Sequence, residues 1–256
     1  VDAPLGGKAG NPYVKRGQAP APGTQAHRRA AIRLFFDTCR RLGLHDDDPT
    51  VGVAVPHQKR TQLTPLTPLE VGRLRKYSQA LQADSRRPAA LALILAGASV
   101  VETAWVTHTD VNLSAGTVLL PGRGRRFTAR VNTLGAWELA VIRHRLDHLA
   151  KEFHRKGGVP EGWPLAFPRP ADTYPYTHLS PTAGMQITRL LTQAGMESTR
   201  PMAVSEYAAN AVYALTGSVV QVAAFLGITS LDAARNLIDR GWQAQWAASI
   251  QQAGCL

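Results

Sequence analysis

The chain has 256 residues, of which 45% are hydrophobic and 18% charged, so it can bury the core of one or two domains and is too apolar to stay disordered. No apolar run approaches the ~20 residues of a membrane-spanning helix, the longest being Ala89 to Ala98, and no membrane partner is expected. Two cysteines far apart in sequence, Cys39 and Cys255, offer neither a metal cluster nor a disulfide framework, which points to a reducing cytosol. The formal net charge of +11 is uneven: +5 over residues 1–66, +7 over 67–170 and −1 over 171–256. A basic excess of this kind is the electrostatic footprint of a polyanion binder.

Residues 1–23 are rich in Gly, Pro and Ala and have no hydrophobic period, which predicts an extended arm. A helix is predicted from about Thr24 to Leu42. Turning 100° per residue, it gathers Arg29, Arg33 and Arg40 on one side and Ala31, Phe35, Cys39 and Leu42 on the other, so one face should pack and the other meet phosphates. Residues 57–66 form a basic linker containing Lys59 and Arg60. A second domain, 67–256, opens with a capping box from Thr67 to Glu70 and with Pro68 preset at the first helical position.

A buried helix closed by Gly97 follows, then a further helix near Val100 to Val106. Next comes a hairpin with strands Thr117 to Leu120 and Phe127 to Val131 about a Gly- and Arg-rich turn. Leu139, Ile142, Leu146, Leu149 and Phe153 recur at spacings of three and four and mark an amphipathic helix. The rest reads as helical and alanine-rich.

Several constellations could carry chemistry. Arg123, Arg125 and Arg126 in the hairpin turn, with Arg130 beyond, concentrate guanidinium forks that suit phosphates and guanine edges; a solvated charged turn is the bland alternative. Ser180-Pro181-Thr182 starts a helix bearing Gln186 and Arg189, and a glutamine can read adenine bidentately, although ordinary surface polarity also fits. His144 and His148 stand one turn apart about Asp147, but no further ligand accompanies them and a polar helix face is the better reading. Residues 222–238 resemble a helix-turn-helix whose second helix would offer only Arg235, Asn236 and Arg240 as readers.

Three stretches together, LTPLTPLEVGRL, AALALILAGASVVETAWVTHTDVN and GTVLLPGRGRRFTARV, resemble the catalytic domain of the tyrosine recombinase (phage integrase) family. Gly97, Glu102, Asp110 and Val111 hold the frame. Downstream, LSPTAGMQITRLLTQAGM resembles the family's DNA-facing helix, PMAVSEYAANAVYALTG its His-x-x-Arg helix, and VVQVAAFLGITSLDAARNLID its Leu-Gly-His segment. Residues 24–56 resemble part of the helical core-binding domain that precedes it.

The resemblance implies a mainly α-helical fold with a small antiparallel sheet, double-stranded DNA as partner, room for a second copy or an active recombinase beside it, a cytoplasmic, nucleoid-associated location and no cofactor. It also implies departures. Ser99 stands where the family has an arginine, the Met202 to Glu206 region lacks the His/Arg pair, and Ile228 and Leu237 stand for a histidine and the nucleophilic tyrosine; Arg123 is the stand-in for the hairpin lysine. No tyrosine follows Tyr213 and no histidine follows His178.

Family chemistry needs that phenol and its cationic clamp. The expectation is therefore a DNA-binding protein that is not an enzyme, with an organising, regulatory or recognition role. Two alternatives are a recombinase using another nucleophile, such as Tyr207 or Tyr213, and a protein-interaction scaffold. The candidate DNA-binding residues are Arg29, Arg33, Arg40, Lys59, Arg60, Arg123, Arg125, Arg126, Arg130, Thr182, Gln186 and Arg189.

Overall fold

A computed structural model describes residues 22–54, 65–80, 85–122, 127–174 and 176–238, with the backbone alone at 176, 177 and 180. The residue packing divides the chain into two units, Val1–Gln62 and Leu63–Leu256. Most of the extended arm and of the basic linker, with Lys59 and Arg60, lies outside the described residues, as do Arg123, Arg125, Arg126, Arg240 and Cys255.

In the first unit, helix α1 spans Pro22–Arg41 and the chain then returns along it. No residue of α1 is buried, and the expected packing face is uncovered, with Phe35 62% and Leu42 67% exposed. The reason lies in the returning segment, which runs along the arginine side. Arg29 Nη2 donates to the Thr50 carbonyl at 3.5 Å, and Arg33 Nε lies 3.8 Å from Asp48 Oδ2. The hydroxyl and backbone N–H of Thr50 hold the Asp48 carboxyl below the usual carboxylate range.

The second unit is built around helix α3, Arg86–Leu95. Its sequence from Pro88 to Ile94 is apolar all round, and every residue of that run is buried. Helices α2 (Pro68–Ala80), α4 (Ala136–Phe153), α5 (Tyr176–Gln193) and α6 (Met202–Thr216) pack against it. The predicted capping box starts α2. Thr67 N–H and the Thr67 hydroxyl donate to Glu70 Oε2 at 2.7 and 2.8 Å, bonds that hold the Glu70 carboxyl low, and Glu70 N–H donates to Thr67 Oγ1 at 3.3 Å.

The sheet has three antiparallel strands in the order β1 (Val111–Asn112), β2 (Thr117–Leu120) and β3 (Arg130–Thr133). Strand β2 alternates as a half-buried strand must, with Val118 and Leu120 inside and Leu119 facing out. Helices α7 (Val219–Leu226) and α8 (Leu231–Arg235) close the unit over a smaller cluster of Ala209, Val222, Leu226, Ala234 and Ile238. The fold class is the mainly α type with a small antiparallel sheet that was expected.

Three elements differ from expectation. In place of a helix near Val100 to Val106 there is one 3-10 turn, Glu102–Ala104, set by the side chains described below. The second hairpin strand starts at Arg130, because Phe127 pairs across to Ile228. Helix α5 begins at Tyr176, about a turn before the Ser180 start, and Pro181 lies inside it past the first turn, where it removes one intrahelical hydrogen bond.

Candidate nucleic-acid interface

Ser99 has a local task. Its hydroxyl accepts from Glu102 N–H at 3.2 Å while its own N–H donates to Glu102 Oε2 at 2.8 Å, which caps the 3-10 turn reciprocally. The same carboxylate is met by Arg130, with Nη1 to Oε1 and Nη2 to Oε2 both 3.0 Å. The remaining guanidinium N–H groups are also used, Nε on the Phe225 carbonyl at 2.9 Å, Nη1 on Thr128 at 3.0 Å and Nη2 on Gly97 at 2.6 Å.

The Arg130 side chain is only 8% exposed and that of Glu102 only 1%. Arg130 was expected to grip DNA. That expectation is corrected: with all five donors consumed inside the protein, it has none left for a phosphate.

This pair joins three segments that are distant in sequence. Asn132 reinforces the junction by donating from Nδ2 to both Ala96 and Phe225 carbonyls at 2.8 Å. The packing leaves no room for side chains on the chain's turns here. Gly97 sits at φ +100°, where a Cβ would lie 2.6 Å from Asn132 Nδ2 and 2.7 Å from the Phe225 carbonyl oxygen. At Gly227, φ +66°, a Cβ would strike the Arg130 guanidinium.

Beside the junction lies a half-open cavity of about 330 Å³. Ser99, Ile228 and Leu237, three of the four positions singled out by the family resemblance, line it together with Met202 and Ser205 from the expected His-x-x-Arg region. Residues spread over 138 positions of sequence thus converge, as the resemblance implies. The Ser205 hydroxyl is buried and has no hydrogen-bond partner among the described residues. Tyr207 and Tyr213 do not line the cavity; Tyr207 packs against the large core and Tyr213 against the small one.

The hairpin turn opens and closes next to this site. Gly122 N–H donates to Glu102 Oε1 at 3.1 Å, Phe127 lines the cavity and bridges to Ile228, and Thr128 N–H donates to the Gly227 carbonyl at 2.8 Å. Of the first-unit candidates, Arg29 and Arg33 face their own returning chain, and Arg40 Nη2 lies 3.4 Å from Asp37 Oδ1 at the exposed helix end.

Thr182, Gln186 and Arg189 come together on one side of α5, where they line a second, smaller cavity of about 200 Å³ with Met185, Pro168, Arg86 and Arg87. Arg87 Nη1 donates to Gln193 Oε1 at 3.1 Å. Arg86 and Arg87 were not among the sequence candidates. The signal was an Arg-Arg-Pro opening to a buried helix, which places two cations at its solvent end. The helix-turn-helix resemblance is realised as α7, a turn and α8, with Ser230 Oγ capping Ala233 N–H at 3.3 Å, but the second helix is five residues long.

The architecture matches solved structures closely. The XerA recombinase superposes with a TM-score of 0.57 at 16% identity, covering 90% of this chain and 76% of that one. The Tn1549 transposon integrase, in complex with a circular intermediate DNA, gives a TM-score of 0.65 at 14% identity over 90% of this chain and 79% of the other. The fold is that of the tyrosine recombinase catalytic domain.

A stretch of 116 residues, 44% of the chain, is also 36% identical to the tyrosine recombinase XerD of Halalkalibacterium halodurans; the match spans 39% of that protein's length and supports the family resemblance. No protein-family model matches the chain. These relatives overturn one expectation, that of a protein that is no enzyme, because the proteins it resembles in sequence and in fold are named recombinases, which are enzymes.

Proposed function

We propose that this protein recognises double-stranded DNA and works in DNA recombination or mobile-element processes. The observation that carries the reading is the convergence of Ser99, Met202, Ser205, Ile228 and Leu237 on one cavity of a recombinase fold, with both ends of the arginine-rich hairpin anchored beside it. Two further findings support it: neighbours of the same fold are described in complexes with DNA, namely the Tn1549 integrase and a lambda integrase dimer on a core site, and the basic excess of +7 lies in residues 67–170, which include the hairpin.

In this reading Arg123, Arg125 and Arg126 hold backbone phosphates, and Arg29, Arg33, Arg40, Lys59 and Arg60 add charge from the first unit. Guanidinium contacts of this kind position the protein without reading sequence. In the same reading α5, which bears Thr182, Gln186 and Arg189, is a helix that faces the DNA.

The test replaces Arg123, Arg125 and Arg126 together by alanine and compares duplex binding by fluorescence anisotropy. The variant should bind all sequences more weakly and with a shallower salt dependence. A triple variant that binds like the parent removes the hairpin from the interface.

A further inference from the structure

We propose that the smaller cavity between the start of α3 and the side of α5 is a phosphate-binding notch, and that its occupant is a backbone phosphate of duplex DNA. The proposal rests on the DNA-binding reading above and adds to it a contact surface separate from the hairpin. Three guanidinium groups wall the notch: Arg86 and Arg87 from the first turn of α3 and Arg189 from α5. No carboxylate lines it among the described residues. The cavity of about 200 Å³ is half-open to solvent and has room for a phosphate group.

Each wall has a different character. Arg87 is fixed by its bond to Gln193 Oε1 at 3.1 Å, which joins α3 to α5 and sets the width of the notch. Arg189 is exposed and makes no hydrogen bond or ion pair with a described residue. Arg86, half-buried, is shared with a neighbouring polar cavity that also holds His148, the Glu152 carboxylate and the buried Arg145.

Forked donors from two elements suit a tetrahedral anion, which accepts from several directions at once. The Gln186 amide, which also lines the notch, has a buried Oε1 with no partner among the described residues. With that oxygen buried, Gln186 is a poorer reader of bases than its sequence suggested. Thr182 at the rim supplies a hydroxyl that can donate to a phosphate oxygen.

The chemistry would also admit free inorganic phosphate, so the experiment has two arms. In the first, the full chain and the Arg86→Ala/Arg189→Ala variant bind a random-sequence duplex across a salt series, with Arg86→Lys/Arg189→Lys as a third protein. Arg87 is left in place because it holds the two helices together. The alanine variant should bind about 10- to 100-fold more weakly, the range for charge-assisted hydrogen bonds, and its log-log salt slope should fall by about 0.9 per phosphate released.

The lysine variant should keep the slope while losing affinity, since it keeps the charges and lacks the fork. In the second arm, thermal unfolding of parent and alanine variant is followed with and without millimolar inorganic phosphate. A parent that binds no duplex defeats the DNA-binding reading itself. A parent that binds, with an alanine variant of unchanged affinity and slope, overturns the notch alone. Phosphate that stabilises the parent and not the variant, with duplex binding equal in both, assigns the notch to a free ion and overturns the backbone contact.

Discussion

Arg130 and Glu102 meet end to end, two guanidinium nitrogens on two carboxylate oxygens, both at 3.0 Å and both screened from water. A pair this deep contributes little net stability compared with an apolar substitute, because each ion loses its hydration. Removing one partner is another matter. Arg130→Ala would leave the Glu102 carboxylate buried without its counter-ion and the Gly97 carbonyl without its guanidinium donor, while the Phe225 carbonyl would keep only its bond from Asn132. It should cost about 3–5 kcal/mol. Denaturant unfolding measures it, and a loss below about 1 kcal/mol would show that the junction does not hold these segments together.

Ser99 tests the neighbouring device. Ser99→Ala keeps the backbone N–H that donates to Glu102 and removes only the oxygen that accepts from Glu102 N–H, so it should cost about 1 kcal/mol, with Ser99→Thr close to neutral. Equal losses in both variants, read from the same unfolding curves, would mean that Ser99 acts through packing and not as a cap.

Glu206 gives the pH dependence. Burial pushes its carboxyl above the ordinary value of 4.5, and Arg200 pulls the other way more weakly. Its Oε2 has no partner among the described residues. A raised carboxyl keeps its proton in the folded protein after the unfolded chain has released it, so the folded state binds more protons above pH 4.5 and stability falls as pH rises from there through the folded value. Glu206→Gln should unfold at a higher temperature than the parent at pH 8 and lose that advantage at pH 4. A variant less stable than the parent at pH 8 would contradict this sign.

The sequence revealed the elements whose signals are local. The capping box of Thr67 and Glu70, the apolar run of α3 and the three-four spacing along α4 each lie within one helix, and each is where it was expected. The Ser99 cap was legible too, because Ser-x-x-Glu at 99–102 is the same box.

Other features arise only on folding. Arg130 looks like a hairpin cation in sequence, and its partner is 28 residues away. The notch joins Arg86 to residues of α5 about a hundred positions later, and no periodicity reports such a meeting. Strand β1 has two residues, too few to show an alternation. The exposed face of α1 was misjudged because helical periodicity identifies an apolar side without saying what covers it.

The central claim is that this chain binds duplex DNA through cationic side chains, and a salt titration tests it most directly. The full chain should bind a duplex at low salt, with log affinity falling linearly against log salt at a slope of about −0.9 for each phosphate neutralised. Absence of binding at low salt, or an affinity that stays flat up to physiological salt, would contradict it.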